Sequence, residues 1–298
     1  MAQTLDREGR EGYQLLRGAK DIKSLMFADD IAILSETPAG LQRAINILER
    51  VAKELGLTIN LGKTKIMVFR AGGFLGRRER WTLGGERVEV VNSYKYLGFT
   101  LTTKLSGDIA LTDYVGKAKR KIIHIIKTLK ALGQHRADIF FKLFDAQVKP
   151  LALYAAEVWG VVKYETVERI QLFAIKKFLG VTKKTPNCLV TGETGRYPLF
   201  IDSRTRAVSY WLKVTAMEDE RLPKIAYKRE ILEENKRFNW ALEIKRILSV
   251  TGFAYVWNNQ GVRHEKGFLR QLARRLKDIH MQEWNNKCNQ SDLSLIHI

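Results

Sequence analysis

Two adjacent carboxylates, Asp29 and Asp30, stand between short apolar runs in Leu25-Met26-Phe27-Ala28-Asp29-Asp30-Ile31-Ala32-Ile33-Leu34, and this stretch constrains the fold more than any other. Residues 24–27 and 31–34 each have the length of a short buried strand, and the Ala-Asp-Asp between them predicts a hairpin. Side chains alternate along a strand, so neighbouring aspartates point to opposite faces, but at a hairpin tip both can reach one solvent-facing space. Carboxylates so held repel one another. A hard divalent cation such as Mg²⁺, which takes oxygen ligands and often substrate phosphates, relieves that repulsion. The same residues also read as a turn that is acidic only because Asp makes local hydrogen bonds.

Around the hairpin the sequence predicts an α+β arrangement. Thr37-Pro38 is a helix start, and Leu41, Ala44, Ile45, Leu48, Val51, Ala52 and Leu55 follow at helical spacing up to Gly56. Residues 57–60 and 65–69 read as extended, with a turn at Gly62, which makes a strand-helix-strand unit packed against the acidic hairpin. Residues 71–85 are rich in Gly and Arg and read as loops; no Gly-Lys-Ser or Gly-Lys-Thr follows, so they do not form a P-loop. Residues 87–91 and 94–101 alternate as the two strands of a small antiparallel hairpin. From Tyr114 the period becomes helical: Val115, Ala118, Ile122, Ile125, Ile126 and Leu129 form an apolar stripe. Lys117, Lys119, Arg120, Lys121, Lys127 and Lys130 occupy the other positions, with no acid between Asp113 and Asp138.

Helices are predicted over 138–160, 165–180, 207–217, 225–240 and 267–280, with 182–197 as a structured loop. Trp159, Phe173 and the interleaved Trp211, Trp240, Trp257 and Trp284 read as packing anchors more than as base-stacking rings. Residues 1–20 are polar and offer at most one short strand, and residues 288–298 have no clear period.

Several of these segments, in order, resemble the later palm motifs of reverse transcriptases of non-LTR (LINE-type) retrotransposons. They are Phe27-Ala28-Asp29-Asp30, then Thr58-Ile59-Asn60-Leu61-Gly62-Lys63-Thr64-Lys65, then Tyr94-Lys95-Tyr96-Leu97-Gly98. Residues 153–160 and 185–199 look like segments that follow the polymerase core in the same elements, so the resemblance covers about residues 20 to 200. It implies a partial polymerase palm over 1–105 (a small antiparallel sheet with a helix), a helical thumb over 106–180 and a basic helical C-terminal extension over 181–298.

The resemblance also implies roles. Asp29 would coordinate catalytic Mg²⁺ with Asp30 in support, and Lys63 would meet the triphosphate or the leaving pyrophosphate, whereas Lys65 reads as a solvated lysine bordering a strand. Tyr96, Leu97 and Gly98 would approach the primer terminus. The cations from Lys117 to Lys130 would track an RNA template with its DNA primer, or an RNA–DNA duplex, through phosphates and without sequence readout. Reverse transcriptases draw a further metal-binding Asp from an earlier palm strand. Upstream of Asp29 the only acids are Asp6, Glu8, Glu11 and Asp21, and none ends an apolar strand. The expectation is therefore a C-terminal piece of such an enzyme, inactive alone.

Charge supports a polyanionic partner, since Lys plus Arg exceed Asp plus Glu by 51 − 32 = 19. No apolar run reaches membrane-spanning length and no signal-peptide core is present, so no membrane partner and an intracellular location, with the nucleus as one candidate, are expected. Cys188 and Cys288, a hundred positions apart, are the only cysteines, which excludes a disulfide framework or a four-cysteine zinc site. His280 and Cys288 alone do not make a structural zinc site. A second reading keeps the basic surface and drops the chemistry: a non-catalytic nucleic-acid-binding protein derived from such an element. A metal-dependent nuclease would need clustered carboxylates that the sequence lacks. The sequence leaves oligomeric state open.

Overall fold

A computed structural model describes residues 12–15, 21–70, 73–76, 79–105, 107–233 and 238–290. The chain divides into two compact units, Met1–Ala110 and Leu111–Ile298. The first mixes short strands with one helix and the second is helical, so the whole is α+β and mostly helix. The helices expected to fall into separate domains on either side of residue 180 lie together in the second unit.

In the first unit, β1 (Ser24–Phe27) and β2 (Asp30–Ile33) form the expected antiparallel hairpin, with Phe27 opposite Asp30. Its strands are not buried as expected. Leu25, Met26 and Phe27 are exposed, Phe27 at 65%, and so lie on both faces of a hairpin whose strands pair only with each other among the described residues. Helix α1 (Pro38–Glu54) starts where the sequence places it: Thr37 is extended, its hydroxyl accepts the Gly40 N–H at 3.0 Å, and Pro38 supplies a preset φ. Gly56, at φ 67°, ends it. The apolar stripe of α1 packs through Ile45 on Ile66, Trp81, Leu83 and Val88.

The sheet expectations need correction. Residues 57–60 form no strand, and β3 is only Lys65–Ile66, paired in parallel with β6 (Glu89–Val90). Between them lies a short hairpin of β4 (Thr82–Leu83) and β5 (Glu86–Arg87). The Gln42 side chain holds it to α1 by donating to the Thr82 carbonyl and accepting the Thr82 N–H, both at 2.9 Å, while Glu49 accepts the Gly84 N–H at 3.1 Å. Residues 87–91 therefore do not pair with residues 94–101. The latter fold on themselves as β7 (Ser93–Tyr96) and β8 (Phe99–Thr102) around a two-residue turn at Leu97-Gly98. Instead of one antiparallel palm sheet, the described residues form four two-stranded sheets, one of them parallel. Gly72, Arg77 and Arg78 of the Gly/Arg-rich loop lie outside the described residues, as do residues 1–11 and 16–20; Tyr13 bridges to Ile22.

The second unit is built on α2 (Gly107–Ala131), whose buried face is Leu111, Tyr114, Ala118, Ile122, Ile125 and Leu129, about two turns longer at its start than expected. The span 138–160 is not one helix. It breaks into α3 (Ala137–Leu143), a π-turn at Phe144–Val148, α4 (Lys149–Ala152) and α5 (Ala156–Trp159), with Pro150 in α4 and Ala155 at φ 56° between α4 and α5. Next comes α6 (Glu165–Phe178). The expected loop at 182–197 contains α7 (Asn187–Thr194), preceded by Pro186 and closed by Gly195 at φ 59°.

α8 (Leu199–Thr215) begins eight residues earlier than the periodicity suggests. The span 225–240 is two helices, α9 (Leu222–Leu232) and α10 (Trp240–Val250), because Asn239 caps α10 by accepting the Leu242 N–H at 3.0 Å. Short α11 (Ala254–Asn258) precedes α12 (Glu265–Gln290), which runs into the tail expected to lack a period; residues 291–298 lie outside the described part. Trp211 is fully buried and stacks on Trp257 at 5.5 Å, and the Trp284 indole donates to the Cys188 carbonyl at 3.2 Å, so these tryptophans are anchors. His280 lies edge-on to Tyr197 and Phe200. No helix among the described residues is long and apolar enough to cross a membrane.

Candidate functional site

Three segments singled out in the sequence come together in the first unit. Asp29 occupies the turn of the β1–β2 hairpin and Asp30 opens β2; both are exposed. Ala28, which starts the turn, sits at φ 53°, and Leu97, which starts the β7–β8 turn before Gly98 at φ 81°, sits at φ 46°. A side chain in this left-handed region costs about 1–2 kcal/mol and persists where the surroundings over-determine it, often at functional turns. Both turns that carry candidate residues hold a non-glycine in that conformation.

Tyr94 and Tyr96 share one face of β7, since they are two positions apart. Burial, and then the negative charge of Asp30, push the Tyr96 hydroxyl above its ordinary pKa, which brings the end of β7 into the field of the acidic hairpin. On the same face the Tyr94 hydroxyl donates to the Lys63 carbonyl at 3.1 Å. Lys63 belongs to a turn fastened by Asn60, whose side chain accepts the Lys63 N–H at 3.0 Å and whose carbonyl accepts the Thr64 hydroxyl at 2.9 Å. The Lys63 side chain is exposed and makes no ion pair among the described residues. Lys65, in contrast, is held by Glu89 at 2.7 Å across the parallel pair β3–β6. The tyrosine face of β7 thus lies between Asp30 and Lys63, a role that the sequence pattern did not assign to Tyr94.

No three His, Cys, Asp or Glu side chains gather into a metal-binding group among the described residues. Asp29 and Asp30 supply the one or two carboxylates through which Mg²⁺ is held when waters and phosphates complete its shell. They fall short of the donor set that a pair of metal ions would share.

The second unit carries the basic helix. Successive residues on α2 are about 100° apart, so its cations divide into two groups. Lys117, Arg120 and Lys121, joined by His124, border an open groove of about 440 Å³ against Leu151 of α4. Lys119 and Lys130 lie on the other flank, with the Lys119 ammonium 5.8 Å over the Phe173 ring, and Lys127, seven residues after Arg120, faces outward in line with it. Lys117 is partly neutralised by Asp113 at 2.9 Å and lies 5.3 Å over Tyr114. His124 was not among the residues the sequence pattern singled out, although its spacing of four and three from Arg120 and Lys121 places it on their face. A carboxylate with another task, Glu168 of α6, is 8% exposed and caps α8: its oxygens accept the Leu199 and Phe200 N–H groups at 3.0 and 2.7 Å.

Residues 5–101 match the family described as reverse transcriptase (RNA-dependent DNA polymerase), a span nearly coincident with the first compact unit. The RNA-directed DNA polymerase from the mobile element jockey of Drosophila melanogaster is 22% identical over 165 residues, 53% of this chain and 18% of that protein. A transposon-derived protein of Caenorhabditis elegans is 26% identical over 171 residues, 55% of this chain and 58% of that protein. The chain therefore spans less than two thirds of either relative. No solved structure matches it significantly. Residues 5–101 are thus similar to the reverse transcriptase family, and the matches together support a fragment resembling a reverse transcriptase of the non-LTR type.

Proposed function

We propose that the first unit is the later part of a polymerase palm and that the second unit begins with its thumb. In the complete polymerase the reaction would be nucleotidyl transfer onto a primer 3′-hydroxyl, directed by an RNA template. The observation that carries the reading is the tyrosine face of β7 between Asp30 and Lys63, within the span matched by the reverse transcriptase family. It supports a site where a carboxylate, the turn that carries Lys63 and a second tight turn stand together beside a growing strand. Asp29 would hold Mg²⁺ with Asp30 beside it, Lys63 would neutralise the incoming triphosphate, and the Tyr96-Leu97-Gly98 turn would take the primer terminus. Glycine at the second turn position leaves the backbone open to close approach. Lys117, Lys119, Arg120, Lys121, Lys127 and Lys130 would follow the phosphates of the template–primer duplex.

With two carboxylates and no third acid beside them among the described residues, the chain alone is expected to bind nucleic acid and to polymerise poorly. Primer extension on an RNA template with Mg²⁺ tests this. Robust synthesis by the chain alone, abolished in Asp29→Asn, would refute the incompleteness and keep the site. The second reading, a nucleic-acid-binding protein without chemistry, is favoured by the same short donor set. It gains if Asp29→Asn leaves Mg²⁺-dependent nucleotide binding unchanged while Lys117→Gln/Arg120→Gln/Lys121→Gln weakens oligonucleotide binding and flattens its salt dependence.

A further inference from the structure

An uncompensated positive surface lies on α12, outside the span matched by the reverse transcriptase family. Between residues 263 and 278 the chain carries Arg263, Lys266, Arg270, Arg274, Arg275 and Lys277 against two acids, Glu265 and Asp278. Glu265 is engaged elsewhere, since its carboxylate accepts the Ser209 hydroxyl of α8 at 3.3 Å. Phe268, Leu272 and Leu276 form the buried face of α12 and fix which way the helix turns its charges. Lys266, Arg270, Arg274 and Lys277 recur at steps of four, four and three on the opposite face, and all are exposed. None of the four makes an ion pair among the described residues, in contrast to Lys117 of α2, which is paired with Asp113.

A row of cations one helical turn apart advances about 6 Å per step and about 16 Å in all. This repeat is comparable to that of phosphates along an extended strand. At its far end the row meets an aromatic ring: Lys277 lies 4.9 Å over Tyr197, which is 38% exposed and held in place by the Gln171 side chain donating to its carbonyl at 2.8 Å. Cations that track a backbone next to an accessible ring are the combination by which proteins hold single-stranded nucleic acid without sequence preference.

We infer that the α12 ridge, Lys266, Arg270, Arg274 and Lys277 with Tyr197 at its end, binds the backbone of a single-stranded nucleic acid and is a contact surface additional to α2. The inference does not require the polymerase reading, because neither Asp29 nor the α2 cations enter it. Charge selects the occupant: four unneutralised cations in a line fit a flexible polyanion, and the lack of an apolar flank on that face among the described residues disfavours insertion into a lipid surface.

The test uses the full chain and a fluorescently labelled oligo-dT, followed by anisotropy across a KCl series. Each lost phosphate contact reduces the slope of log K against log salt by about 0.7 on a single strand, so Lys266→Gln/Arg270→Gln/Arg274→Gln/Lys277→Gln should flatten it by about 2 to 3. Tyr197→Leu should weaken binding and leave the slope unchanged. Thermal melting by circular dichroism should not move in the quadruple variant, because the four side chains are exposed. An unchanged slope in that folded variant overturns the inference. A slope that flattens only in Lys117→Gln/Arg120→Gln/Lys121→Gln overturns it too, yet leaves the polymerase reading standing. Equal losses on a blunt duplex and on oligo-dT overturn the single-strand assignment. Ridge-dependent binding to phosphatidylserine vesicles without oligonucleotide binding overturns the choice of partner.

Discussion

Glu168 makes the stability of the second unit depend on pH in a direction opposite to that of most carboxylates. It lies between α6 and the start of α8, where Pro198 has no side-chain acceptor to cap the helix, and it receives the Leu199 and Phe200 N–H groups in place of a local cap. Burial pushes its pKa from 4.5 up to about 7, against the lowering effect of the two N–H groups and of Lys163. The protonated form is thus favoured in the folded state. Its contribution is fully present below pH 4.5 and is lost as pH rises through about 7. A shift of that size corresponds to about 3 kcal/mol at about 1.4 kcal/mol per pH unit. For a unit of this size the melting temperature should fall by about 6 to 12 °C between pH 4.5 and 7.5.

The assay is urea or thermal denaturation of the wild type and of Glu168→Gln across that range. Glutamine cannot ionise, so the difference between the two proteins isolates this group from every other ionisable side chain. The variant should lose about 1–3 kcal/mol at pH 4.5, because its amide can accept only one of the two N–H groups, and should lack the wild type's additional fall toward pH 7.5. Parallel curves for the two proteins would refute the assignment of a neutral, buried Glu168.

Gly160 follows α5 where a Cβ would strike the carbonyl oxygens of Ala156 and Ser203, so Gly160→Ala should cost about 1–3 kcal/mol, seen as a lower urea midpoint with unchanged slope. Leu97→Asn should stabilise the β7–β8 hairpin by up to about 1 kcal/mol, because Asn tolerates the left-handed region that Leu97 occupies at φ 46°; hydrogen exchange of the strand amides reads it. Arg196 holds Asp145 through contacts of 2.5 and 2.8 Å and keeps its carboxyl below the ordinary range, so the pair stabilises above pH 3.8 and is lost as pH falls further. Asp145→Asn should therefore remove part of the acid transition monitored by tryptophan fluorescence.

Local order was legible wherever neighbours in sequence are also neighbours in space. Thr37-Pro38 and the apolar spacing after it define α1 to within a residue at its start, and the two apolar runs around Asp29 and Asp30 define the hairpin. The order of the motifs at 27–30, 58–65 and 94–98 was enough to point to reverse transcriptases, which the match over residues 5–101 bears out.

Pairings between distant segments were not legible. Nothing in the residues 87–91 says that Glu89 and Val90 will lie parallel to Lys65 and Ile66, because β pairing depends on which partner the chain brings alongside. Without that pairing Lys65 reads as solvated, and with it Lys65 is held by Glu89. The helix at 187–194 was hidden by its brevity, and the break between α9 and α10 by a periodicity that continues across it.

The same division holds for the candidate site. Sequence alone determined which residue types are present and in what order: the acidic pair, Lys63, the Tyr96-Leu97-Gly98 turn and a strongly basic chain. Tertiary structure decided which charges are spent within the fold and which face outward. Lys117, Lys65 and Glu168 are engaged by Asp113, by Glu89 and by the start of α8, whereas the ridge of α12 makes no ion pair among the described residues. A charge is neutralised only by groups within a few ångströms, and that proximity is set by packing of the apolar faces, which the linear order of residues does not contain.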